Sequence, residues 1–226
     1  MVNLVVVKLQ SGILTLKSDR RIPERPDLLR GFFGSRFRDL KILHHHEEDG
    51  LIYRYPLVRY AVIGGRALVI GYIDGVRTIQ EIYLKIDKLE IGGSFYHIFE
   101  KNLKIQNLEF GISDKKWKYR FISPWLALSQ RNYVRFNSLD VENKRKLLSS
   151  ILIGNILSAS KGLGYHVSER IDVELRKVKT LKCSLKGIPV IGFEADFSTR
   201  FLLPDLFGLG KSVSRGFGLL KCLDGA

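Results

Sequence analysis

The sequence predicts an α+β fold in which the order βαββαβ occurs twice. Three observations point to it. Short alternating, β-branched runs recur along the 226 residues. Two pairs of such runs are joined by glycine turns, at Gly64-Gly65 and at Gly187. Segments with helical apolar spacing separate the runs. The order βαββαβ is the ferredoxin-like unit, so the chain is read as two tandem ferredoxin-like (βαββαβ) domains, residues 1–95 and 96–226. The repeat is one of pattern and not of residue identity.

Residues Asn3–Leu9 alternate and are β-branched, which makes the first strand, with loop residues after it. Leu28, Leu29, Phe32, Phe33 and Phe37 repeat at helical spacing and predict a helix from near Pro26 to about Arg38. The runs IYRYPLVRYAVI and RALVIGYI form a hairpin across Gly64-Gly65. Val76–Tyr83 is a short helix, and YLKIDKLEI is the strand that closes the first half.

In the second half KNLKIQNLEF is a strand, followed by an irregular stretch. The clearest helix runs from Val141 to about Ser160, with Asp140 as its N-cap and Gly162 as its stop. Leu147, Leu148, Ile151, Leu152, Ile156 and Leu157 form its apolar face. Strands Ile171–Ser184 and Ile188–Arg200 meet at Gly187, Pro204–Phe207 is a short helix, and Phe217–Leu223 is the last strand. Cys183 and Cys222 then fall on opposite edges of the second sheet and are expected as free thiols.

Composition narrows the function. Hydrophobic residues make up 45%, which is a globular and not a disordered composition. The net charge of +14, from 37 basic and 23 acidic residues, favours a polyanionic partner. No apolar run approaches the length of a membrane span, and the N-terminal MVNLVVVKLQSG is interrupted by Lys8, unlike a signal peptide. Two cysteines fit a reducing compartment and are too few for a cysteine-only zinc site.

The stretch LPDLFGLGKSVSRGFGLLK, Leu203–Lys221, imitates a phosphate-binding loop through Gly210-Lys211-Ser212. The motif G-x-x-x-x-G-K-[ST] requires a glycine where Asp205 stands, and the loop should open a helix. Here it precedes a strand. The dinucleotide pattern G-x-G-x-x-G fails at Val213. What fits is Gly208-Leu209-Gly210, five residues, then Gly216-Phe217-Gly218. Glycines admit positive φ and close approach, so successive N–H groups can form a concave anion site. Lys211 and Arg215 add charge, and Ser212 and Ser214 add hydroxyls. The other reading of the same glycines is a turn that packs a terminal strand.

With this glycine pattern and the doubled scheme, the chain resembles the RAMP superfamily of CRISPR-associated proteins, and most of all the endoribonucleases that cut CRISPR precursor RNA at its repeats. The resemblance covers almost the whole chain. It implies RNA as partner, with other CRISPR-associated proteins as further partners, a monomer or homodimer, no membrane, no cofactor and no metal, in a prokaryotic cytoplasm. It also implies that a histidine near the end of the first helix acts on the RNA. The ribose 2′-hydroxyl attacks the adjacent phosphate, leaving a 2′,3′-cyclic phosphate and a 5′-hydroxyl. A non-catalytic RAMP protein that holds guide RNA in a larger complex is the alternative within the superfamily.

His44, His45 and His46 lie just after that helix. Imidazole suits both proton transfers because it titrates near neutrality. In an extended segment His44 and His46 share a side, so His46 and then His44 are the candidates. Lys41, Arg36 and Arg38 are in sequence reach to offset charge on the phosphorane, and Tyr53 is a further partner. Adjacent histidines rarely converge on one ion, so a metal site is not favoured. His97 and His166 stand alone, and packing or surface roles are the default. On the strand YRYPLVRY, Tyr53, Tyr55, Leu57 and Arg59 share a face, either stacking bases or making ordinary cross-strand pairs. DKKWKYRF, with Lys116, Lys118 and Arg120, is the densest basic-aromatic segment and a further RNA-contact candidate.

Overall fold

The computed structural model describes residues 6–23, 25–43, 46–47, 50–51 and 55–224. They form two compact units. The N-terminal unit comprises Lys8–Leu108 together with Ser214–Gly216. The C-terminal unit comprises Glu109–Val213, the chain from Phe217 onward and residues 6–7.

In the N-terminal unit the elements are β1 (Val6–Ser18), α1 (Pro26–Arg36), β2 (His46–Glu47), β3 (Gly50–Leu51), β4 (Val58–Ile63), β5 (Arg66–Tyr72), α2 (Asp74–Lys85), β6 (Lys88–Ile91) and the first part of β7 (Ser94–Phe121). The sheet order is β4-β5-β1-β7, the ferredoxin-like arrangement, and β2 and β3 make a separate two-stranded ladder. Strand β1 continues where a loop was expected, to Ser18. Ser11 and Gly12 pair with Tyr72 and Gly71, while Leu14 and Leu16 alternate into the core.

Helix α1 starts with Pro26, whose missing N–H costs nothing in the first turn. It buries Leu29 and Phe33, and Phe33 stacks on Tyr60 of β4 with ring centroids 5.3 Å apart. Burial of a side chain of this size is worth about 1.5–3 kcal/mol. Gly92 and Gly93, both at positive φ, join β6 to β7 in a two-residue turn of the type that matches strand twist. Residue 95, where the sequence divides the domains, is the second residue of β7.

The remainder of β7 enters the C-terminal unit, followed by α3 (Gln130–Ser138), α4 (Val141–Gly162), β8 (Glu174–Leu185), β9 (Ile188–Leu202) and β10 (Leu220–Cys222). Here the order is β10-β7-β9-β8, again ferredoxin-like. The Asp140 carboxylate caps α4 by accepting from the Asn143 N–H at 2.8 Å. Leu147, Leu148, Leu152 and Ile156 are buried as expected, but Leu157 is 44% exposed and Ala159 takes its place in the core. The core is aromatic: Phe121 stacks on Trp125 at 5.1 Å, and Phe197 packs against both Tyr119 and Phe121. Cys183 and Cys222 lie on the two outer strands as free thiols.

YLKIDKLEI is not the strand that closes the first half: Tyr83–Lys85 end α2, β6 is only Lys88–Ile91, and β7 takes the place beside β1. Two further expectations fail for identifiable reasons. The irregular stretch after KNLKIQNLEF is in part strand, because β7 runs on to Phe121 through a register shift between Ile112 and Trp117. It also contains α3, capped by Ser129. Pro204–Phe207 is not a helix. The Leu206 N–H donates to the Leu220 carbonyl and Asp205 accepts from the Cys222 N–H, so the segment pairs with the final strand. The short helix of this region is a 3-10 turn at Val213–Arg215. No helix among the described residues is long and apolar enough to cross a membrane.

A β-carbon on Gly218 would lie 1.9 Å from the Leu209 carbonyl oxygen, whereas one on Gly187 meets nothing within 4 Å. Both glycines have positive φ. Gly187→Ala should therefore cost about 1 kcal/mol through backbone strain alone. Gly218→Ala should cost at least about 3 kcal/mol, read as urea midpoints at unchanged slope.

Candidate active site

Helix α1 carries two faces. Leu29, Phe33 and Phe37 are buried, and the opposite side presents Asp27, Arg30, Gly31, Gly34, Ser35 and Arg38. Those residues, with Leu43 and Arg215, line a cavity of about 580 Å³ within the N-terminal unit. Its floor is open because Gly31 has nothing within 4 Å of where a side chain would begin. The cavity lies next in sequence to the histidine run, since Leu43 closes the 3-10 turn Lys41–Leu43 that precedes it.

Arg215 arrives from the glycine-rich stretch, at the end of the 3-10 turn Val213–Arg215. Gly216 follows it, and a β-carbon there would lie 2.4 Å from the Pro26 ring. The backbone therefore seats directly on the first turn of α1, which only glycine permits. Burial holds the Arg30 guanidinium below its usual range, the Arg215 charge adds to this, and Tyr60 opposes it. Burial pushes the Tyr60 phenol up, with Arg30 opposing. Among the described residues neither Arg30 nor Arg215 forms an ion pair, and Asp27 in the same lining is engaged by Arg25 at 3.0 Å. Two guanidinium groups that repel one another beside a cavity are relieved by an anion between them, and planar guanidinium matches phosphate.

The other predicted residues divide. His44, His45 and Tyr53 lie outside the described residues. His46 is in β2 opposite Leu51, and Lys41 opens its 3-10 turn. Gly208, Gly210, Lys211, Ser212 and Gly218 belong to the C-terminal unit, Ser214, Arg215 and Gly216 to the N-terminal one. In the loop the N–H groups of Leu209, Lys211 and Gly218 donate to the carbonyls of Gly218, Leu126 and Pro124, so these three serve packing. Of the three cations expected near the histidines, Arg38 lines the cavity, Arg36 ends α1 and Lys41 opens the 3-10 turn. Arg59 is buried, with its guanidinium donating to the Tyr72 hydroxyl at 2.9 Å, as a structural residue of β4.

Lys116, Lys118 and Arg120 share the outer face of β7 in the C-terminal unit, and each meets a carboxylate. Lys116 pairs with Glu174 at 2.8 Å and Lys118 with Asp224 at 3.5 Å. Arg120 makes a two-pronged pair with Asp196 at 2.7 and 2.9 Å. Hydrogen bonds from Lys116 and Arg176 hold the Glu174 carboxyl down to about 2, so this pairing persists at neutral pH.

Sequence reasoning missed Arg30. A signal existed: Arg30, Gly34 and Arg38 recur at i, i+4 and i+8, a basic and small-residue stripe opposite the apolar one.

The models of the Cas6b N-terminal domain and the Cas6b C-terminal domain match residues 7–109 and 111–223. The uncharacterized protein MJ0978 of Methanocaldococcus jannaschii is 41% identical over 138 residues, 61% of this chain and 94% of that protein. A crystal structure of Cas6b superposes with a TM-score of 0.89 at 30% identity, over 95% of this chain and 99% of that one. A second, of the CRISPR RNA processing endoribonuclease Cas6b, gives 0.77 at 28% identity, over 95% and 100%.

Arg30→Met and Arg215→Met should each weaken binding of single-stranded RNA about 10- to 100-fold and lower the salt slope by about one. Lys116→Met should change affinity less than about threefold, because Glu174 already neutralises that charge. Titrations at several salt concentrations distinguish the two groups.

Proposed function

The chain belongs to the Cas6b family, and on that premise we propose that it binds CRISPR precursor RNA and cuts it within the repeats, without a metal ion. The observation that carries this reading is the convergence of Arg30, Arg38 and Arg215 on a cavity that leads in sequence to His44–His46.

The chemistry follows from those groups. His46 takes the proton of the 2′-hydroxyl as its oxygen forms a bond to the neighbouring phosphorus. The bond from phosphorus to the 5′-oxygen breaks, and a protonated His44 supplies the proton that the leaving oxygen needs. The products are a 2′,3′-cyclic phosphate and a 5′-hydroxyl. Charge builds on the non-bridging oxygens in between, and Arg30 and Arg215 stabilise it, with Lys41 as a third cation and Tyr53 as a hydrogen-bond partner. Guanidinium groups stay protonated throughout, so they supply charge without taking part in the proton transfers. Ser212, Ser214 and Lys211 hold the flanking backbone through phosphate and 2′-hydroxyl contacts, while Gly208, Gly216 and Gly218 are buried and Gly210 packs on Trp125, so the glycines shape the loop that carries them. Lys116, Lys118 and Arg120 are further contacts, each weakened by its carboxylate.

The test is cleavage of a repeat RNA in EDTA, with end-group analysis. Wild type should cut and leave a cyclic phosphate. His46→Ala should lower the single-turnover rate by at least about 100-fold with RNA affinity retained, and His44→Ala by at least about tenfold. Loss of cutting in EDTA with recovery in magnesium would overturn metal independence. Tight binding with no cutting under either condition would overturn the enzymatic reading in favour of an RNA-holding protein.

A further inference from the structure

Strand β7 exposes aromatic side chains where a strand normally hides them. Phe95 is 41% and Phe99 69% exposed. Alternation places them on one face. The pairs Lys88–His97, Leu89–Tyr96 and Glu90–Phe95 face each other across β6 and β7. Leu89 and Tyr96 point into the core with α1 and α2. Lys88, Glu90, Phe95 and His97 therefore share the opposite face, and Phe99 continues it. The strip is held in shape. Phe95 and His97 meet edge to face at 5.0 Å, and the Lys88 ammonium sits 5.6 Å from the Phe95 ring centre. Arg20 donates to the Phe95 carbonyl at 3.1 Å, and the Asp19 N–H donates to the His97 carbonyl, so strand ends flank the strip on both sides.

We infer that Phe95, His97 and Phe99 form a stacking platform for unpaired RNA bases, a second contact surface on the sheet face turned away from α1. This rests on the proposed action on RNA. The three residues alternate along the strand, about 6.7 Å apart at the backbone; Phe95 and Phe99 each offer a ring to an unpaired base, with His97 set edge-on to Phe95 between them. Lys88, over the Phe95 ring, is the cation that a phosphate of such a strand would meet, whereas the Arg20 guanidinium is held by the Phe95 carbonyl and over the Tyr96 ring. Lys17 is tied to Glu100 and leaves that carboxylate neutralised.

The experiment is fluorescence anisotropy with a labelled 12-nucleotide uridine oligomer, which has no repeat sequence and no secondary structure. Phe95→Ala and Phe99→Ala should each weaken binding about 5- to 100-fold. The salt slope should stay unchanged, because no charge is removed, and Phe99→Trp should retain wild-type affinity. Unchanged affinity in both alanine variants, or no binding by wild type, overturns the platform. So does a fall in sedimentation mass without a change in affinity, which would assign the face to a second copy. Repeat cleavage is assayed on the same preparations. Its absence, with the oligomer results intact, overturns the proposed function and leaves the platform standing.

Discussion

Leu209 and Gly218 approach so closely that the Leu209 N–H donates to the Gly218 carbonyl at 2.9 Å, while the space above Gly218 is filled by the Leu209 carbonyl. No side chain fits there. The contact folds the glycine-rich stretch back on itself as a loop, in which the Lys211 N–H donates to the Leu126 carbonyl and Val213 is buried. Ser214, Arg215 and Gly216 at its far end belong to the N-terminal unit. Gly216 seats on Pro26, and the neighbouring Arg215 comes within electrostatic reach of Arg30. The glycines thus work mainly by steric permission. They let a cationic residue distant in sequence reach a helix that carries other cations.

Positive charge is held in two ways. On the outer face of β7, β8 and β9, lysines and arginines alternate with Glu174, Glu194 and Asp196 in a ladder of ion pairs. Such pairs are exposed, and each contributes little to stability, but they cancel the field that a polyanion would feel. At α1 the cations are set against each other and burial adds to the strain on Arg30. A net charge of +14 is uninformative about which arrangement binds RNA. The difference lies in whether a carboxylate is already in place.

The ferredoxin-like repeat was readable because it depends on local patterning. The apolar runs Val58–Ile63 and Arg66–Tyr72, the glycine turn between them, and the helical spacing of Leu29, Phe33 and Phe37 all act within a few residues. The extension of β1 to Ser18 was not readable, because Ser11 and Gly12 have weak strand propensity and are held there by Tyr72 and Gly71. The segment Pro204–Phe207 was misread for the same reason. Its backbone groups find partners in a strand that comes later in the chain. Gly92-Gly93 carries the signature of a linker as much as of a hairpin, and only the pairing of β6 with β7 separates the two.

For the site, sequence alone determined the residue types: cations at the end of the first helix, a histidine run just beyond it, and a glycine-framed basic loop near the C-terminus, while the stripe through Arg30 was present and went unread. These follow from spacing along one chain segment, where helical and strand periods decide which residues share a face. Tertiary structure alone decided which cations converge. Arg30 and Arg215 are 185 residues apart in sequence, and no local period relates them. Their proximity follows from backbone contacts that exclude a β-carbon. Likewise Lys116, Lys118 and Arg120 were legible as cations, but their neutralisation by Glu174, Asp224 and Asp196 was not, because cross-strand register and chain return place those partners.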